Sequence, residues 1–83
     1  MQIRVLLFAS LREAAGQSEL RLELPPDSDA GAVLRELEQR LPRSSAVLQR
    51  SVLAVNEEYA SADVRLHDND VVAMIPPVSG GFS

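Results

Sequence analysis

The sequence predicts an α+β fold, a mixed sheet of four to five strands covered by one long helix. Three observations carry this reading. Apolar residues alternate or run continuously over residues 2–9, 19–24, 52–55 and 71–75, as strands require. One long stretch, residues 30–41, instead repeats its apolar positions with the helical period. The helix falls after two strands, so the later strands must return to complete the sheet that the first pair begins.

Residues 2–9 are apolar on both faces, with Ile3, Val5 and Leu7 on one and Leu6 and Phe8 on the other. Such a strand is expected at the sheet centre with both faces covered. Residues 10–16 read as a short helix: Ser10 is placed as the N-cap, Glu13 completes a capping box, and Gly16 stops it. Leu20, Leu22 and Leu24 alternate with Glu19, Arg21 and Glu23, which predicts a half-exposed strand paired with the first. Pro25 and Pro26 end it, and Asp27, Ser28 and Asp29 offer N-caps for the long helix.

In that helix Ala30, Val33, Leu34, Leu37 and Leu41 form one stripe, Glu36 and Arg40 pair four residues apart, and Pro42 closes it. Residues 43–50 read as a helical turn. A short strand at 52–55 leads to a turn at Asn56, Glu57 and Glu58, and residues 61–67 form a loop with Val64 and Leu66 tucked in. Asp68, Asn69 and Asp70 turn into the last strand, residues 71–75, where Pro76 and Pro77 stop sheet pairing. The first strand pairing with the last at the centre explains why both are nearly all apolar. This order describes a β-grasp, or ubiquitin-like, arrangement, with residues 1–77 as the domain and 78–83 as a flexible tail.

Composition narrows the chemistry. Among 83 residues, 46% are hydrophobic, with two Phe, one Tyr and no Trp, so the core is aliphatic. There is no Cys, which removes disulfides, thiolate metal sites and a thiol nucleophile together. Eight Arg, no Lys and twelve acids give a net charge of −4, a poor footprint for nucleic acid. No apolar run approaches the ~20 residues of a membrane span, and no secretory signal is visible, so a cytoplasmic protein is expected. His67 alone makes no zinc site. Asp68, Asn69 and Asp70 lack the glycine and distal Glu of a calcium loop. No Gly-rich loop opens a helix, so nucleotide binding by this chain is not expected.

The last eight residues are Pro76-Pro77-Val78-Ser79-Gly80-Gly81-Phe82-Ser83. The prolines force an extended exit, and from Pro76 to Gly81 the tail spans roughly 18–20 Å at ~3.3 Å per residue. Two glycines have no Cβ, so the backbone at Gly80 and Gly81 fits a slot that excludes larger residues. That suits delivery of a C-terminal carboxylate into another enzyme's pocket, although a glycine pair near a terminus is also what a frayed end looks like.

The segment Val71-Val72-Ala73-Met74-Ile75-Pro76-Pro77-Val78-Ser79-Gly80-Gly81 resembles the end of molybdopterin synthase small subunits. Leu7-Phe8-Ala9-Ser10-Leu11-Arg12-Glu13-Ala14-Ala15-Gly16 resembles their start, and Ala54-Val55-Asn56-Glu57-Glu58-Tyr59 their middle hairpin. The resemblance implies a β-grasp fold and a sulfur carrier. It further implies that the Gly81 carboxylate is adenylated by an ATP- and Mg-dependent activating and sulfurylating enzyme and converted to a thiocarboxylate. The synthase large subunit would then receive Val78, Ser79 and Gly80 with the tail, and the sulfur would pass to cyclic pyranopterin monophosphate. No cofactor is expected on this chain, nor catalysis by it alone. Members of the family usually end at the second glycine. The extra Phe82 and Ser83 point to a precursor cut between Gly81 and Phe82 by a trimming peptidase, to a foreign scar, or to lost carrier activity.

Phe8, Arg12, Met74, Pro76 and Pro77 are the expected partner-binding residues, with Phe8, Met74 and Val78 as an apolar patch at the tail root. A carrier for thiamine, cysteine or tRNA thiolation, a ubiquitin-like protein modifier, and a plain interaction domain are the competing readings.

Overall fold

In the computed structural model, which describes residues 1–77, the chain folds as β1 (Gln2–Leu7), α1 (Ala9–Ala15), β2 (Glu19–Glu23), α2 (Ala30–Arg40), a 3-10 turn (Pro42–Ser44), α3 (Ser45–Gln49), β3 (Val52–Val55), β4 (Glu58–Ala60) and β5 (Val71–Ile75). Val78, Ser79, Gly80, Gly81, Phe82 and Ser83 lie outside the described residues. The five strands form one mixed sheet in the order β2-β1-β5-β3-β4. β1 is antiparallel to β2 and parallel to β5, and β3 is antiparallel to both β5 and β4. The first and last strands therefore do share the centre.

One face of the sheet is closed by helices. Ile3, Val5 and Leu7 of β1, Leu22 of β2, Leu53 of β3, and Val72 and Met74 of β5 pack there with Leu11 of α1, Val33 and Leu37 of α2, and Leu48 of α3. The helical layer is thus more than one long helix. The segment after Pro42 is the 3-10 turn followed by α3, and it contributes Leu48 to the core.

Local signals explain the element ends. Asp29 caps α2, its carboxylate accepting the Ala32 N–H at 3.1 Å. Glu36 and Arg40 pair at 3.3 Å, as their spacing predicts. Gly16 ends α1 with φ 77°, donating its N–H to the Arg12 carbonyl at 2.9 Å. Asn56 and Glu57, at φ 50° and 72°, form the tight turn that lets β4 fold back on β3, a strand the sequence reading takes only as far as the turn.

Several expectations are corrected. Ser10 is not the cap of α1; the helix starts one residue earlier with Phe8 in the cap position and no side-chain cap bond. α2 ends at Arg40, and Leu41 donates to the Leu37 carbonyl at 2.7 Å as its C-cap. Val64 is exposed rather than tucked in, while Leu66 is buried. The second face of β1 is not covered by the described residues: Leu6 is only half-buried and Phe8 is exposed.

Candidate functional site

The face of the sheet that the described residues leave uncovered is apolar across four strands. Residues paired across strands share a face, and alternate residues along a strand return to it. Leu6 pairs with Ala73, Ala73 with Ala54, and Ala54 with Tyr59, so one lateral row runs from β1 to β4. The next row toward the tail holds Val52 paired with Ile75, and Phe8 lies one residue past the Leu7–Met74 pair, at the level of Ile75. Leu6, Phe8, Ala54, Tyr59, Val71, Ala73 and Ile75, with Glu57 at one side, line a shallow cleft of about 350 Å³. Tyr59 is 81% exposed and Phe8 43%. Leu6, Val71, Ala73 and Ile75 are half-buried around a buried Ala54. An apolar patch of this extent marks an interaction surface, whereas one exposed apolar side chain alone is ordinary.

The tail leaves from this face's edge. Ile75 is the last residue of β5 and lines the cleft; Pro76 is buried and Pro77 exposed. Neither proline has an N–H, so β5 loses its ladder bonds to β1 and β3 together.

Of the residues expected to bind a partner, Phe8, Arg12 and Pro77 are exposed. Met74 is not available: its exposure is 0%, because it points with Leu7 and Leu53 into the helix-covered core. Pro76 is likewise buried and acts at the tail root rather than on a surface. Val78, Ser79, Gly80, Gly81 and Phe82 lie outside the described residues. Sequence reasoning missed Leu6, Ala54, Tyr59, Ala73 and Ile75 as one surface. The signal was present in the doubly apolar strands, but only the strand register assembles it.

Beside the cleft, Arg4 donates two hydrogen bonds to Glu19, holding that carboxyl below the usual carboxylate range and raising its own guanidinium further. Among the described residues no group of three His, Asp or Glu could hold a metal ion, and no helix is long and apolar enough to cross a membrane. The described part offers a docking face and a tail root, without a set of acid–base groups gathered in a pocket.

A model described as the ThiS family matches residues 5–81. The chain belongs to this family. It is 42% identical over 83 residues to the molybdopterin synthase sulfur carrier subunit of Dictyostelium discoideum, covering 96% of each chain. The crystal structure of SAMP1 from Haloferax volcanii superimposes with a TM-score of 0.85 at 29% identity, over 98% of this chain and 100% of that one. A chain of the complex of subunits 1 and 2 of molybdopterin-converting factor from Helicobacter pylori shares the fold, with a TM-score of 0.68 at 23% identity over 98% and 100% of the two chains. The expected β-grasp class and the expected family are both borne out. In this ThiS-family chain the family match reaches Gly81, leaving Phe82 and Ser83 beyond it.

Proposed function

We propose that this chain is the sulfur-carrying small subunit of a molybdopterin synthase, working in the cytoplasm through the Gly81 carboxylate. The observation that carries the reading is the near full-length similarity to a molybdopterin synthase sulfur carrier subunit, with the family match running through to Gly81. The apolar face supports it, because a carrier that brings only a tail must hold its partner by a surface beside that tail.

In the sequence given, the Gly81 carbonyl is bonded to Phe82, so a peptidase must first hydrolyse that bond and free the carboxylate. A carboxylate is a poor electrophile. An adenylating enzyme converts it with ATP to an acyl adenylate and pyrophosphate, which supplies a good leaving group. The outer sulfur of a persulfide displaces AMP to give an acyl disulfide. A second thiol, supplied by the sulfurylating partner, attacks the inner sulfur, releasing the thiocarboxylate and leaving a disulfide on that partner. The large subunit then takes the tail into a slot too narrow for side chains, where the terminal sulfur bonds to a carbon of cyclic pyranopterin monophosphate as an oxygen substituent leaves. Water cleaves the resulting thioester, which frees the sulfur on the pterin and restores the Gly81 carboxylate. The acid–base groups and the substrate pocket belong to that subunit. This chain supplies the nucleophilic sulfur, its reach and its docking face.

Intact-mass spectrometry tests this on the 83-residue chain and on a form ending at Gly81, each incubated with an adenylating enzyme, ATP and a persulfide donor. Only the shorter form is expected to gain the mass of one oxygen replaced by sulfur. With no Cys in the chain, that gain has no thiol to sit on. If neither form changes with an enzyme active on another carrier, sulfur carriage is ruled out.

A further inference from the structure

The arginines are not spread evenly, and their distribution runs against the net charge. Arg4, Arg21, Arg35, Arg40 and Arg65 each stand 3.0–3.9 Å from a carboxylate. Among the described residues Arg12, Arg43 and Arg50 have no such partner, and all three are exposed. They come from separate elements that converge on the tail-bearing end of the sheet. Arg12 is in α1, which starts two residues after the Leu7–Met74 pair. Arg43 follows the C-terminus of α2, in a groove that also includes Ala14 of α1. Arg50 caps the C-terminus of α3, two residues before Val52, the partner of Ile75, and so lies at the end of the sheet where β5 finishes.

The other end is acidic. Glu57 occupies the β3–β4 turn and Asp68 the turn before β5, where its carboxylate accepts the Gln2 N–H at 2.7 Å. Asp63 lies in the loop whose carbonyls at Ala62 and Val64 receive the N-terminal N–H groups of α2. A molecule of net charge −4 thus presents its unpaired cations where the tail departs.

We propose that Arg12, Arg43 and Arg50 form a basic rim that docks against an acidic surface bordering the tail slot of the synthase large subunit. The assignment rests on the synthase reading above. The rim is continuous with the apolar face through Phe8, which precedes α1 and lines the cleft. Its target is a protein surface and not the phosphate of the substrate, because a chain drawn out from Pro76 to Gly81 spans up to roughly 18–20 Å, beyond an arginine side chain's reach. Charges at this position orient the encounter so that the tail arrives first, and they act mainly on the association rate.

The test is stopped-flow association of the chain with the purified large subunit from the same organism, at several salt concentrations. Arg43→Glu and Arg50→Glu are compared with Arg65→Glu, which makes the same change in net charge at the α2 N-terminal end. The rim variants are expected to slow association by about tenfold at low salt, with the loss shrinking as salt screens it, while Arg65→Glu has little effect. Equal slowing by all three, or a wild-type rate indifferent to salt, overturns the rim and leaves the synthase reading standing. Absence of any wild-type association overturns both.

Discussion

Arg4 grips Glu19 across β1 and β2 with two parallel hydrogen bonds, Nε to Oε2 at 3.1 Å and Nη2 to Oε1 at 3.0 Å. Arg21 adds a third charge, 3.9 Å from the same carboxylate. The hydrogen bonds from Arg4 lower the Glu19 pKa, against a smaller desolvation that raises it. A depressed carboxylate pKa stabilises the fold above the unfolded pKa, and that contribution is lost as pH falls through the folded one. Glu19→Gln should therefore lower Tm slightly at neutral pH, and the gap from wild type should close below the ordinary carboxylate range. Thermal melts at pH 7 and pH 3 check this; a gap that persists in acid assigns the effect to packing instead. The pair is solvent-exposed, so added salt should also narrow the gap at neutral pH.

Met74 stands opposite Leu7 and Leu53 in the sheet and is fully buried with them. Met74→Ala should cost about 2–5 kcal/mol of stability by leaving a cavity. Urea unfolding measures it. A variant of unchanged stability with weakened partner binding would return Met74 to the surface role expected from the sequence.

That reversal shows what the sequence made legible. Periodicity placed all three of β1, β2 and α2, and the central pairing of β1 with β5, because each rests on local apolar spacing. The strand 71–75 is apolar at every position, so spacing alone could not assign Met74 to the core and Ile75 to the open face. The parity is set by the Leu53–Met74 and Val52–Ile75 pairs, which depend on contacts distant in sequence. The same blindness hid Tyr59, whose neighbours Ala54, Ala73 and Leu6 come from three other strands. The tail was the reverse case: two prolines and two glycines outline an extended arm with a slender tip, while its sulfur chemistry came from the resemblance to molybdopterin synthase small subunits and lies outside the described residues.

Tyr59 is the most exposed large side chain on the open face and sits at the outer end of its lateral row. An aromatic ring beside small residues such as Ala54 and Ala73 suits the anchor role that few interface residues fill. Tyr59→Ala should weaken binding to the large subunit by about 10- to 100-fold, or roughly 1.4–2.8 kcal/mol, with Tm nearly unchanged. Calorimetric titration and a thermal melt on the same sample separate the two. Unchanged affinity would move the interface off this face.

Tail length is a separate variable from docking. The buried Pro76 fixes the root, and five further residues carry the chain to Gly81. Deleting Gly80 in the form ending at Gly81 draws the terminal carboxylate back by ~3.3 Å while leaving the open face intact. Affinity for the large subunit should hold close to that of the parent, because the docking face is unaltered. Single-turnover sulfur transfer from preformed thiocarboxylate should fall by about a hundredfold or more, since an ångström of misplacement is enough to cost that much. Tyr59→Ala predicts the opposite split, with weakened binding and a transfer rate recovered at saturating large subunit. If the deletion transfers sulfur at the parent rate, the tail does not act as a fixed-length arm, and the constraint lies in the glycine slot alone.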